Sequence, residues 1–135
     1  MAGSFKYLSL ADVIALHEFI MGKLGHSPNL LRDEGVLDSA IMKPQWAAHY
    51  ENADIIRQAA ILAVGISQAQ AFIDGNKRTA YIACIVFLGM NGFHYSGDPI
   101  EMAQKLEAVT EPSIELSKAT IDFTEWLGEH IISRS

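Results

Sequence analysis

The sequence predicts an all-α fold: a compact, single-domain helical bundle around a buried central helix at about residues 77–91. Three observations predict it. Apolar residues recur at helical spacing along most of the chain, while strand-type alternation nowhere exceeds four or five residues. Glycine, proline and Asn-Gly breaks cut the chain into lengths suited to ordinary helices. The 135 residues amount to one domain at roughly 150 residues per domain, and half are hydrophobic, which supports a real core.

The first helix begins at Ser9, with Asp12 three residues on, a capping-box pattern with Asp in the Glu position. Its apolar face is Leu10, Val13, Ile14, Leu16, His17, Ile20 and Met21, and Gly22, Gly25 and Pro28 end it. A short helix follows over 35–43 and is expected to stop at Pro44, with 45–51 resuming after it. A longer helix spans 55–70, capped by Asp54 and presenting Ile55, Ile56, Ala59, Leu62, Ala63 and Ile66. Asp74-Gly75-Asn76 breaks the pattern. Residues 77–91 are apolar on nearly every face, the pattern of an enclosed helix. Asn91-Gly92 ends that helix with a left-handed cap. A short extended piece is expected at 93–95. Asp98-Pro99 starts a helix to about Thr110, with Pro at its first position. Pro112-Ser113 breaks again, and a last helix is expected over 114–132.

Composition narrows the function. The net charge is -6 and the pI about 5.2, which disfavours general nucleic-acid binding. The lone Cys84, among apolar neighbours, reads as a small buried hydrophobe and excludes a disulfide framework. No apolar run reaches the roughly 20 residues that span a bilayer, so no membrane partner is expected and a cytoplasmic location is. No repeat, linker or low-complexity tract divides the chain.

The informative segment is Phe72-Ile73-Asp74-Gly75-Asn76-Lys77-Arg78-Thr79, a loop running into a helix N-terminus. Such a terminus offers free N–H groups and about half a positive charge. Gly75 allows close backbone approach, and Lys77 and Arg78 add two cations, a combination suited to phosphates. Asp74 beside phosphates is a natural Mg²⁺ ligand, and Phe72 anchors the loop in the core. The same residues also fit an ordinary inter-helix turn, with Asp74 as a cap and Lys77 and Arg78 on a solvated face.

Residues 72–79 resemble the core of the Fic motif, His-x-Phe-x-(Asp/Glu)-Gly-Asn-Gly-Arg-x-x-Arg, in the Doc (death-on-curing) variant. That variant has Lys after the Asn, as Lys77 here, and lacks the last Arg, where this chain has Tyr81. Further likeness lies in Tyr7-Leu8 with Asp12 and Leu16-His17, in Leu31-Arg32-Asp33-Glu34-Gly35 with Leu37 and Ser39-Ala40, and in Lys43-Pro44-Gln45, Phe87-Leu88 and Asn91-Gly92. It runs from about residue 7 to 127, within a single domain taken as 1–135.

The resemblance implies an ATP-using, Mg²⁺-dependent modifier of proteins. Most Fic proteins transfer AMP to a hydroxyl. Doc toxins instead pass the γ-phosphate to a threonine of elongation factor Tu, and a cognate antitoxin silences them. By resemblance, Asp74 holds Mg²⁺, Gly75 and Asn76 cradle phosphate beside Phe72, and Lys77 and Arg78 neutralise charge. The inhibitory helix (Ser/Thr)-x-x-x-Glu-(Gly/Asn) of some Fic proteins has no match here, so silencing falls to a separate antitoxin.

One position departs. The motif's His, which takes the proton from the target hydroxyl, is replaced by Gln70, and a neutral amide cannot be a general base. Gln70 is either an introduced disarming change, or a natural loss that leaves a nucleotide- or antitoxin-binding module, or compensated by another base. The histidines available are His17, His26, His49, His94 and His130; His17, on an apolar helical face, reads as a satisfied core residue. The expected function is Doc-like phosphoryl transfer, weak or absent here. AMP transfer and a catalytically silent module are the alternatives, and a ligand-free helical scaffold is a third reading.

Overall fold

The computed structural model describes residues 5–23, 25 and 31–133. His26 and Pro28 lie outside them. Among the described residues, six helices and two short strands follow one another: α1 Leu10–Lys23, α2 Glu34–Glu51, α3 Ile55–Ala69, α4 Asn76–Met90, β1 Phe93–Tyr95, α5 Pro99–Val109, α6 Leu116–Gly128 and β2 Ile131–Ser133. The all-α class is as predicted, and the start signals act as read. Ser9 N–H donates to Asp12 Oδ2 (2.9 Å) and Asp12 N–H to Ser9 Oγ (3.1 Å), a reciprocal capping box. Asp54 and Asp98 accept from the first-turn amides of Arg57 and Ile100, and Asp33, which the sequence reading did not name as a cap, accepts from Val36 N–H. Gly92 takes the left-handed conformation (φ 86°) that ends α4.

Pro44 does not stop α2. The helix runs through it, because Leu37, Ala40, Ile41, Pro44 and Ala47 are all buried and keep one helical period across the proline. Packing of that stripe offsets the one ladder bond that Pro44 cannot donate. The stripe faces α3, where Ala40 packs directly on Gly65. A Cβ built there would lie 3.6 Å from Ala40 Cβ and 3.7 Å from Ala40 O.

The last helix is shorter than expected. It ends at Gly128, where Glu129 N–H turns back to Trp126 O (3.2 Å) and His130 N–H to Leu127 O (2.9 Å). The residues beyond pair antiparallel with the expected extended piece, Phe93 opposite Ser133 and Tyr95 opposite Ile131.

Helix α4 packs against α1, α3, α5 and β1, and α3 against α2, α4, α5 and α6. The centre is therefore shared, with α3 the more enclosed of the two: an unbroken run from Leu62 to Ser67 is buried. Small residues (Ala59, Ala60, Ala63, Gly65) make that possible. Its buried Gln58 is satisfied, accepting from Tyr7 OH (2.8 Å) and donating to Ala53 O (3.0 Å). Among the described residues, no helix is long and apolar enough to cross a membrane.

Cys84 is wholly buried, and burial pushes its thiol from 9.0 up to about 12. A raised value means the native state keeps the proton longer than the unfolded chain. The resulting stability is complete below pH 9.0 and is lost as pH rises toward about 12. We expect no reaction of Cys84 with an aromatic disulfide reagent at pH 8 in buffer, and prompt reaction in denaturant. Comparable rates in both would contradict its burial.

Candidate phosphate-binding site

The site forms where α3 hands the chain to α4. Gln70 caps α3 in the left-handed region (φ 52°), unusual for a residue with a Cβ. Two contacts hold it there. Its Nε2 donates to Ser67 O (3.1 Å), and its carbonyl accepts from Arg32 Nη2 (2.6 Å). The next residues are pinned by the segment before α2. Leu31 and Phe72 form an antiparallel bridge, and the amides of Arg32 (2.7 Å) and Asp33 (3.1 Å) both donate to Ala71 O.

The turn is closed by Asn76. Its Oδ1 accepts from Phe72 N–H (3.1 Å), and its Nδ2 donates to Phe72 O (2.8 Å). The side chain is buried, so both bonds are shielded from water. Phe72 itself is buried and stacks flat on the His17 ring of α1, with centroids 3.7 Å apart and planes 6° from parallel. His17 Nε2 lies 2.8 Å from Asp74 O. A carbonyl has no proton to offer, so this nitrogen is the donor.

Gly75 has φ +83°, and a Cβ there would fall 2.8 Å from Met21 Sδ and 3.3 Å from the His17 ring. Only glycine fits, by backbone angle and by space. Its N–H donates to Asp74 Oδ1 (2.8 Å), while Asp74 Oδ2 has no hydrogen bond among the described residues. Thr79 N–H returns to Gly75 O (3.0 Å), so the unpartnered first-turn amides of α4 are those of Asn76, Lys77 and Arg78.

These groups line a cleft of about 540 Å³ with Met21, Gln70 and Ile73 on its walls. The ion pairs among the described residues are Arg57–Glu51 and Lys118–Asp122. Lys77 and Arg78 are therefore uncompensated cations beside the positive end of α4. One exposed carboxylate with a free oxygen, two free cations, free amides and a side-chain-free backbone at Gly75 make a donor set that fits a metal-bound polyphosphate.

The sequence-predicted residues thus come together, with two differences of role. Asn76 faces the turn, not the cleft, and offers the cleft only its backbone N–H. Gln70 lines the cleft, but its amide is turned back onto α3. Of the histidines, His49 packs edge-on against Tyr50 (4.6 Å), His130 against Trp126 (4.4 Å), and His94 sits in β1. His17 alone among the described histidines contacts the loop, as a donor and not a base. Sequence reasoning missed the parts played by His17, Met21 and Arg32. The four-residue spacing of Val13, His17 and Met21 marked one buried face, but nothing local named the loop as its partner.

Within this all-α bundle the loop between α3 and α4 thus sets two cations and free amides at a helix start. The Fic/DOC family model matches residues 7–88, more than half the chain, and the chain belongs to that family. It is 33% identical over 95 residues to Toxin Doc of Mycolicibacterium smegmatis, covering 69% of this chain and 70% of that one. It is 30% identical over 95 residues to Protein kinase doc of Escherichia phage P1, covering 70% and 75%.

Replacing Asn76 by Ala leaves a buried amide and a buried carbonyl of Phe72 unpaired. We expect a loss of about 2–6 kcal/mol in urea unfolding, from roughly 1–3 kcal/mol for each of the two orphaned groups. A loss under about 0.5 kcal/mol would contradict the brace.

Proposed function

We propose that this chain is a Doc-type toxin domain, 1–135, that binds Mg²⁺–ATP in the cleft and descends from a protein kinase. The observation that carries the reading is that Lys77, Arg78 and the start of α4, with no ion pair among the described residues, line one cleft with Asp74. When bound, ATP supplies the transferable γ-phosphoryl group and Mg²⁺ screens its charge. Asp74 would hold the metal through Oδ2. Lys77 and Arg78 would neutralise phosphate oxygens, and the amides of 76–78 would orient them. Preorganised charge and positioning account for most of such catalysis.

The acceptor we assign is a protein hydroxyl, on a target of the elongation factor Tu type. The partner we assign is a cognate antitoxin. The kinase reading draws support from the name of the phage relative, and Lys77 and Tyr81 depart from the AMP-transfer pattern.

Catalysis is expected to be weak or absent, because Gln70 cannot accept the hydroxyl's proton. A specific observation favours the second reading, a catalytically silent nucleotide- or antitoxin-binding module. The amide of Gln70 is engaged with Ser67 O and serves as a helix cap. A positioned base is worth about 10²–10⁴ in rate.

With γ-labelled ATP and purified elongation factor Tu, the Gln70→His form is expected to transfer label at least about 10²-fold faster than the parent. Label arriving from α-labelled ATP would make the reaction AMP transfer. No label from either, with Mg²⁺–ATP still raising the melting temperature, would leave the silent module as the reading.

A further inference from the structure

Helix α1 buries Val13, His17 and Met21 at four-residue spacing, so one face meets the loop. Two of these side chains converge on one peptide unit, Asp74–Gly75. His17 Nε2–H holds its carbonyl oxygen at 2.8 Å, and Met21 Sδ and the His17 ring crowd the Gly75 Cα. In a trans peptide the C=O and N–H point to opposite sides. With the oxygen held toward α1, the Gly75 N–H must point away from α1, and there it binds Asp74 Oδ1 at 2.8 Å. The carboxylate is thereby kept on the side away from α1, with Oδ2 unengaged.

A peptide next to a glycine with φ +83° is the natural place for the chain to flip. A flip here would swing the Gly75 N–H toward α1 and release Asp74 Oδ1. The Asn76 brackets act at Phe72 and do not touch this peptide. His17 does, while its ring is locked by the flat stack on Phe72. Core filling alone would need only an apolar ring at this place.

We infer that His17 is a positioning residue for the cradle. It fixes the Asp74–Gly75 peptide and so aims the Asp74 carboxylate and the start of α4 at the metal and phosphates. This rests on the nucleotide reading above.

The test compares the parent, His17→Phe, which keeps a ring and loses the donor, and His17→Gln, which keeps a donor and loses the ring. Two readouts are taken on the full chain: amide hydrogen exchange of Gly75, and the Kd for ATP with Mg²⁺ and with chelator. In His17→Phe the Gly75 amide is expected to exchange about tenfold faster, with α3 amides unchanged, for the loss of one hydrogen bond. Its Kd for Mg²⁺–ATP is expected to rise about tenfold, and its Kd in chelator much less, a difference that general loosening of the core would not produce. His17→Gln is expected to fall nearer the parent in both. If His17→Phe does not fold, His17→Leu takes its place. A folded donor-less variant with parental exchange at Gly75, or with parental Mg²⁺–ATP affinity, overturns the inference. If the parent itself does not bind ATP, the nucleotide reading fails, and exchange at Gly75 alone decides whether His17 holds the peptide.

Discussion

The site depends on one side chain folding back on the chain. Asn76 donates to and accepts from the same residue, Phe72, four positions earlier. An amide is the side chain suited to this, because it carries a donor and an acceptor side by side. The bracket turns residues 72–76 into a closed loop. It fixes where α4 begins relative to the end of α3, and those two helices form the middle of the fold. Phe72 is thereby seated for its stack with His17, and Asp74 is left at the exposed tip. A loop held only by exposed contacts would sample many shapes. One closed by two buried hydrogen bonds presents one arrangement of charge to the cleft.

Gln70 and the proposed cradle are held by separate contacts. Gln70 belongs to the end of α3 and is fixed by Ser67 and Arg32. The proposed cradle belongs to the start of α4 and is fixed by Asn76 and His17. Arg32 grips the backbone carbonyl of residue 70, a contact independent of which side chain stands there. A change of side chain at 70 therefore leaves the cradle's supports in place. The proposed loss of a general base at Gln70 and the proposed anion-binding role of Lys77 and Arg78 are therefore mechanically compatible.

What the sequence revealed follows the range of the forces involved. Ser9 with Asp12, Asp54, and Asp98-Pro99 start helices through contacts within three residues, and each acts as read. Pro44 was misread because the local rule lost to packing, although the stripe Leu37, Ala40, Ile41, Pro44 and Ala47 keeps its period through the proline. The pairing of Phe93–Tyr95 with Ile131–Ser133 joins distant segments and leaves no local mark. At the proposed site, Asp74, Gly75, Lys77 and Arg78 could be singled out together because they are nearly consecutive. His17 is an isolated polar residue on an apolar stripe, and its partner lies 57 positions away. Asn76 was given its phosphate role by resemblance; it lies at the cleft, with its side chain turned inward by burial and two backbone partners.

The proposed phosphate cradle lies at the start of α4. The most direct measurement is a backbone amide NMR titration of the unmodified chain with Mg²⁺–ATP. The account requires the largest, saturable shifts at Gly75, Asn76, Lys77 and Arg78, with α5 and α6 silent. Saturable shifts centred elsewhere, or none at millimolar nucleotide, would contradict it.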